Sequence, residues 1–242
     1  MIKIERFLEK FPSCFFAEKI LPAITFLLII IFLAGAFLYA PTEVVEGDVQ
    51  RIFYFHLPTA LASYFCFGLT CLFSILFLWK KHPIYNHWAK SAAIIGVVFT
   101  CICIWSGMAW GKPIWGVWWT WDARLTSTLI LLLLYIGYLL VHSLDPLGEG
   151  RYSKIASFIG VISFLDIPLI NMSVRWWRTL HPQPIVLAPV SEERLPTEML
   201  TVLLISIIAI IVLVFWLITI NTRIIKNRYT VQKVTVKKLK EA

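Results

Sequence analysis

Residues 199–220 read MLTVLLISIIAIIVLVFWLITI, a run that contains no charged side chain. A helix needs about 20 predominantly apolar residues to cross the hydrocarbon core of a bilayer. Five further runs of comparable length and low charge precede it, at about 20–40, 57–79, 91–111, 125–144 and 155–174. The sequence therefore predicts an all-α integral membrane protein with six transmembrane helices.

The overall composition agrees with this fold class. The chain has 242 residues, of which 59% are hydrophobic and 15% are charged, and its mean hydropathy is +0.79. A soluble domain of this size cannot bury so much apolar surface. The first run is expected to be a retained helix rather than a cleaved signal peptide, because five more spans follow it. With no internal repeat, residues 1–242 are predicted to form a single six-helix membrane domain.

Lysine and arginine are unevenly distributed between the connecting segments. With the N-terminus in the cytoplasm, the inner segments contain 16 of these residues and the outer segments contain 6. Membrane proteins keep such positive charge on the cytoplasmic side, so both termini are predicted to be cytoplasmic. The basic tail at 221–242 is expected to contact anionic headgroups or a partner subunit. A nucleic-acid partner is excluded because the chain has no basic soluble face.

Several functional classes lack their motifs in this chain. No P-loop is present, so the chain itself does not power transport with ATP, and no Cys-x-x-Cys-His motif marks a c-type cytochrome. None of the five cysteines falls in a predicted outer segment, which argues against a structural disulfide. No set of catalytic residues is recognisable, and the chain is predicted not to be an enzyme.

The predicted outer segment at 112–127, between the third and fourth spans, contains WGVWWTWDARLTS at 115–127. If this segment is helical, one face presents a single group of side chains and Trp121 points towards the membrane. That group is Trp115, Trp118, Trp119 and Asp122. An aromatic belt is one interpretation, since tryptophan favours the membrane interface. The density of the patch favours a platform for a large, flat, apolar ligand, to which four further tryptophans are expected to contribute. These are Trp105, Trp110, Trp176 and Trp177.

Two of the five histidines, His56 and His181, fall on the predicted outer side. A single histidine there is most simply a hydrogen-bonded interface residue, but two histidines beside an aromatic platform fit the axial ligands of haem iron. Pro58 is expected in the first turn of the second span, which would place His56 at the mouth of that helix. The remaining histidines are interpreted as solvated or interfacial residues of the inner side, and these are His82, His87 and His142.

Charged residues around this segment fit the same ligand. Four arginines flank the predicted outer site and could pair with the two haem propionates, although interfacial snorkelling explains each of them equally well. They are Arg51, Arg124, Arg175 and Arg178. Asp122 could orient Arg124 or cap the following helix. Asp166 falls within the fifth span, where a hydrogen bond to a neighbouring helix is preferred over a functional role, and Pro168 could break the helix there.

The tryptophan-rich stretch resembles the WGxxWxWD signature of the haem-handling WWD-domain proteins of cytochrome c biogenesis. The chain length, the six spans and the segments around His56 and His181 are similar to the CcmC family in particular. By position, these two histidines match the axial histidines of the family. The residues that match its signature are Trp115, Gly116, Trp119, Trp121 and Asp122.

This resemblance implies a function on the outer face of the bacterial inner (plasma) membrane. CcmC-like proteins present haem there for attachment to the haem chaperone CcmE. A cassette pair, CcmA and CcmB, acts with the small protein CcmD to release the loaded chaperone. Haem would be cargo, with its iron bound by two histidines.

Three alternatives remain open beside a haem-binding and delivery subunit. A transporter that moves haem across the bilayer would need a polar path, for which Asp166 is the one charged candidate within a span. A lyase that forms the bond between the chaperone and haem would need an acid–base pair, and positioning could replace one. A purely structural subunit would leave the tryptophan signature without a role.

Overall fold

The computed structural model describes residues 2–145, 150–177, 179–181 and 195–241. Its α-helices are α1 (Ile2–Lys10), α2 (Leu21–Ala34), α3 (Phe53–Lys80), α4 (Pro83–Trp115), α5 (Ala123–Ser143), α6 (Arg151–Ser163), α7 (Asp166–Trp176) and α8 (Thr197–Glu241). Short helical turns join α1 to α2, continue α2 to Tyr39, and lead into α3 from Asp48. In these residues the β structure consists of one isolated bridge between Glu43 and Gly47.

Six helical segments of the described chain are long and apolar enough to cross a membrane, which confirms the predicted number. They are Lys3–Tyr39, Asp48–Lys80, Pro83–Trp115, Ala123–Ser143, Arg151–Trp176 and Thr197–Leu239. Most of these segments are longer than the apolar runs predicted from the sequence, because no helix-breaking residue stands where the apolar run ends. α8 contains neither glycine nor proline, and it therefore continues as one helix through most of the basic tail.

Helices α3 and α4 form an antiparallel pair at the centre of the bundle. Lys81 adopts a left-handed conformation with φ of 56°, and Pro83 starts α4 two residues later. A Cβ atom on Gly96 would lie 2.6 Å from the Phe67 ring, so the two helices approach closely where this glycine stands. The other side of Phe67 stacks on Tyr135 of α5 at 3.7 Å between ring centroids. Phe67 of α3 thus contacts both α4 and α5.

Helix α8 packs against α2, α3 and α4. The Ser91 hydroxyl donates a 2.7 Å hydrogen bond to the backbone carbonyl of Ile218, which joins α4 to α8 inside the bundle. Both residues are buried. Small hydroxyl side chains at helix contacts are typical of membrane proteins, because they satisfy polar groups and allow backbones to approach each other.

α1 and the part of α8 around Lys226 lie at the same end of the bundle as the turn between α3 and α4. The Trp88 indole donates a 3.3 Å hydrogen bond to the carbonyl of Leu8 in α1. From the last part of α8, the Lys226 ammonium donates a 2.8 Å bond to the carbonyl of Glu9. This end is the predicted inner end, and the opposite end, where α3 begins and α4 ends, is the predicted outer end.

The fifth span is broken in its middle. α6 ends at Ser163 and α7 begins at Asp166, two residues before Pro168, so the break expected near this proline is confirmed. Oδ2 of Asp166 is buried and has no hydrogen-bond partner among the described residues. The preferred interpretation of a hydrogen bond to a neighbouring helix is therefore not supported for this oxygen.

Candidate functional site

His56 lies in the first turn of α3, at the predicted outer end of the bundle. The prediction that Pro58 occupies this first turn is wrong, because the helix begins at Phe53 and is preceded by a helical turn from Asp48. Pro58 is an interior residue of α3, where its ring cannot donate a hydrogen bond to the carbonyl of Tyr54. Because Pro58 lies near the start of α3, where few backbone hydrogen bonds precede it, the helix tolerates the loss of this one.

The His56 ring is fixed against α4. Its Nδ1 atom lies 3.1 Å from the carbonyl oxygen of Cys103 and 3.1 Å from the hydroxyl oxygen of Ser106. Because a carbonyl can only accept a hydrogen bond, the contact to Cys103 requires the proton on Nδ1. Nε2 of the neutral ring then has a free lone pair, which is the form that binds a metal.

Glycine at position 107 makes room for this arrangement. A Cβ atom on Gly107 would lie 2.9 Å from Cε1 of His56, closer than side-chain atoms normally approach. Trp110, one turn further along α4, has its ring centroid 5.8 Å from that of His56, at an angle of 69°. The Trp110 indole is held by a 2.9 Å hydrogen bond to the Glu46 carboxylate. The His56 ring therefore packs closely against one face of α4.

His181 approaches His56 from a separate segment beyond α7. The centroids of the two imidazole rings lie 6.5 Å apart and their planes meet at 39°. The backbone N–H of His181 donates a 3.1 Å hydrogen bond to the hydroxyl of Thr179, which shapes the chain before the histidine. The fold thus places together the two histidines that the sequence indicated as a pair.

The segment after Trp115 is a loop, and the predicted helical face of four residues is wrong. Gly116 takes φ of 75°, which ends α4, and its N–H donates to the carbonyl of Lys112 at 3.0 Å. Asp122 starts α5, since its carboxylate accepts a 2.9 Å hydrogen bond from the N–H of Leu125. Capping was one of two roles predicted for Asp122 and is confirmed. Because Gly116 ends α4 and Asp122 starts α5, the segment between them is a loop, although its tryptophans have helical spacing.

The tryptophans of this loop differ in exposure. The Trp115 ring folds back onto α4, so that a Cβ atom on Gly111 would lie 2.9 Å from it. Trp118 and Trp121 are exposed. Trp119 is half-buried, with its ring centroid 5.7 Å from that of Trp121 at 80°. Its indole Nε1 is buried without a hydrogen-bond partner among the described residues, although buried donors normally have one.

The four candidate arginines occupy different environments. Arg124, in the first turn of α5, contacts the Tyr64 hydroxyl and lies within electrostatic range of His56. Arg51 pairs with Asp48 at 3.0 Å and donates to the carbonyl of Ala36, so it closes the end of the α2 segment. Arg175 is exposed near the end of α7, and Arg178 lies outside the described residues. Of the three candidate arginines that the structure describes, Arg124 is therefore the one associated with His56.

Sequence reasoning did not identify the face of α4 that holds His56. Its four residues follow the i, i+3, i+4, i+7 spacing of one helical face, and three of them are small. They are Cys103, Ser106, Gly107 and Trp110. The sequence could have indicated this face by its pattern. Small residues followed by tryptophan share one helical face, opposite a helix that carries histidine.

The interpretation of all three inner histidines as solvated or interfacial is wrong for two of them. His142 is buried and its Nε2 lies 2.9 Å from the side-chain oxygen of Asn86. His87 is also buried, with its ring centroid 5.1 Å from that of Tyr229. His87 is covered because α8 continues beyond its apolar run and packs over the start of α4, whereas His142 of α5 is buried against α4. His82 is half-exposed, and its ring accepts a hydrogen bond from the N–H of Ile84.

Comparison with known proteins gives a consistent family. The model of the family described as CcmC, Heme exporter protein C, matches residues 7–237. A Heme exporter protein C of Bradyrhizobium diazoefficiens is 35% identical over 204 residues, which cover 82% of this chain and 76% of that protein. The corresponding Escherichia coli K12 protein is 41% identical over 145 residues, covering 59% of this chain and 58% of that protein.

A plant relative gives a similar match. A cytochrome c biosynthesis ccmC-like mitochondrial protein of the liverwort Marchantia polymorpha is 41% identical over 142 residues. This match covers 59% of each chain, so the chain aligns with less than two thirds of this relative and of the Escherichia coli protein.

Proposed function

Because the chain belongs to the Heme exporter protein C family, we propose that it binds haem at the outer end of its helix bundle and delivers it to the haem chaperone CcmE. It would act in the bacterial inner membrane, within the maturation pathway of c-type cytochromes. Its role would be that of a binding and delivery subunit rather than an enzyme. The cassette pair CcmA and CcmB, together with CcmD, would be its partners.

The observation that carries this proposal is the pair of imidazoles from His56 and His181. Two imidazoles that bind one metal from opposite sides, with bonds of about 2 Å, have ring centroids roughly 6 Å apart. The observed distance is 6.5 Å. The hydrogen bond that fixes Nδ1 of His56 also leaves Nε2 available as a ligand atom.

Other polar groups near the pair suit the anionic edge of haem. The buried N–H of Trp119 lacks an acceptor in the described chain, and a propionate oxygen would supply one. Arg124 places a permanent positive charge near His56, and arginine matches carboxylates in geometry and charge. Both groups therefore favour a flat ligand that has carboxylates at one edge.

The exposed tryptophans support delivery rather than storage. Trp118 and Trp121 stand on a loop and are exposed, so a ligand that contacts this loop remains open on one side. A chaperone could then reach the haem edge without unfolding of the bundle. Stacking on each ring would contribute about 0.5–1.5 kcal/mol beyond the area it buries.

The transfer of haem from purified protein to purified CcmE tests this proposal. The protein loaded with haem should lose its absorption band as the chaperone gains haem, and Trp118→Ala should slow this transfer more than it lowers initial haem content. Haem that binds to the protein but never reaches CcmE, even with the cassette subunits present, would contradict delivery.

A second candidate function, transport of haem across the bilayer, has one observation in its favour. The fifth span is broken at Asp166, and a buried carboxylate oxygen there lacks a partner in the described chain. Broken helices with polar groups at mid-membrane occur in transporters. In sealed vesicles, Asp166→Asn should abolish haem uptake but not haem binding if this chain forms the path. Equal uptake by both proteins would exclude that role for Asp166.

A further inference from the structure

Helix α1 separates its charged residues onto two sides. Its acidic residues face the bundle, where the Tyr85 hydroxyl donates to Glu5 at 3.5 Å and His82 lies 3.9 Å from Glu9. Its basic residues are exposed on another side of the helix. These are Lys3, Arg6 and Lys10, and none of the three forms an ion pair within the described residues.

The three cations line one shallow groove at the predicted inner end. The groove has a volume of about 330 Å³ and is lined by Lys3, Arg6, Phe7, Lys10, Phe11 and Cys14. Charge and apolar surface therefore alternate along the groove, with ammonium and guanidinium groups next to aromatic rings. A ligand that fits it needs an anionic group joined to an apolar part.

The bundle holds α1 in place and so gives the groove a fixed shape. Trp88 and Lys226 donate hydrogen bonds to carbonyls at the end of α1. Phe11 packs on Phe215 of α8 with ring centroids 5.8 Å apart. A helix anchored by two other helices in this way is not a frayed terminus.

The groove also lies where the chain enters the membrane. α1 belongs to the same helical segment as the first span, Lys3–Tyr39. Directly beyond the groove, Phe15, Phe16 and Ile20 are exposed and apolar. In a bilayer these side chains face lipid, so the cations of α1 are placed at the level of the headgroups.

We propose that the groove on α1 binds an anionic phospholipid. The phosphate contacts Lys3, Arg6 and Lys10, and the acyl chains run along the exposed apolar side chains that follow. Lysine and arginine beside a membrane attract acidic lipids, and three of them on one face of a short helix concentrate that attraction. The lipid fixes α1, and through it the inner end of the bundle, to the membrane surface.

Native mass spectrometry of the delipidated full chain tests this site. Phosphatidylglycerol and phosphatidylcholine are added separately, and bound lipid is counted for each protein. The test variant carries Lys3→Gln, Arg6→Gln and Lys10→Gln. The matched control carries Lys233→Gln, Lys237→Gln and Lys238→Gln in the tail, which removes the same charge. A third variant, with Lys3→Arg, Arg6→Lys and Lys10→Arg, keeps the charge.

The site predicts that the α1 variant loses affinity for phosphatidylglycerol by about tenfold or more. The tail variant and the charge-preserving variant retain that affinity, and phosphatidylcholine binds weakly to all four proteins. Equal losses in the α1 and tail variants would show general attraction by net charge and would overturn the site. Unchanged binding in the α1 variant would also overturn it, and would leave the groove to an acidic protein partner.

Discussion

The imidazole rings of His56 and His181 lie with their centroids 6.5 Å apart, although His56 belongs to α3 and His181 to a segment beyond α7. One ring is fixed on α4 by its Nδ1 atom, and the other belongs to a segment that follows a helix ending at Trp176. The fold thus combines one firmly positioned imidazole with a second that reaches it from beyond α7.

Gly107 should be needed for haem binding because it makes room for the His56 ring. In Gly107→Ala, the new Cβ atom would lie 2.9 Å from Cε1 of His56 and displace the ring. Such overpacking costs about 1–3 kcal/mol, so haem affinity should fall by roughly tenfold or more. Haem titration of the purified protein measures this change.

Gly137→Ala is the matched control for that substitution. Gly137 also lies inside a helix, but an added Cβ atom there would have no neighbour within 4 Å. This variant should bind haem normally and should be at least as stable, because alanine favours a helix. Equal haem loss in both variants would mean that the packing of His56 against Gly107 has no specific role in haem binding.

Trp119→Phe should weaken haem binding more than Trp121→Phe. Phenylalanine keeps an aromatic ring but removes the buried indole N–H of Trp119, which lacks an acceptor in the described chain. A hydrogen bond to a charged group contributes about 1.5–3 kcal/mol, which corresponds to a loss of roughly tenfold or more. Trp121 is 75% exposed and serves as the control. Identical haem affinities for the two variants would exclude the Trp119 N–H as a ligand contact.

Arg124 and Arg51 should affect different properties. Arg124→Gln removes a positive charge near His56, so haem content per folded molecule should decrease. Arg51→Gln breaks the contacts with Asp48 and with the carbonyl of Ala36, so stability should decrease and haem content per folded molecule should not. Haem content and melting temperature of both variants decide this. Selective haem loss in Arg51→Gln would restore the propionate role that the sequence suggested for Arg51.

Topology should follow the distribution of positive charge. Alkaline phosphatase fused after Gly116 should be active, because the enzyme folds only outside the cytoplasm and this loop is predicted to be outer. The same enzyme fused after Tyr85, next to the turn between α3 and α4, should be inactive. The opposite pattern of activity would place the histidine pair on the cytoplasmic side and would contradict the proposed site.

The membrane fold could be predicted from the sequence because it follows from local composition. An uncharged run such as 199–220 needs no partner to indicate a span, and six such runs gave the correct number. The predicted topology put both outer histidines on one side, and the fold brings their ring centroids within 6.5 Å of each other. These features depend on length and order along the chain.

The loop after Trp115 and the features that depend on distant packing were not predicted. The tryptophans at 115–121 have helical spacing, but Gly116 and Asp122 end one helix and start the next. His142 looked interfacial because its burial by other helices cannot be recognised from neighbours in sequence. Arg51 resembled a ligand residue, whereas its contacts with α2 are visible only in the fold.

The absorption spectrum of the protein with His56 or His181 replaced by glycine tests the central claim most directly. If both imidazoles bind the iron, each single variant loses the spectrum of six-coordinate haem, and added imidazole restores it by occupying the vacated space. His82→Asn, which keeps a cap on α4, should leave the spectrum unchanged. Wild-type haem content and an unchanged spectrum in both glycine variants would contradict the assignment of these histidines as haem ligands.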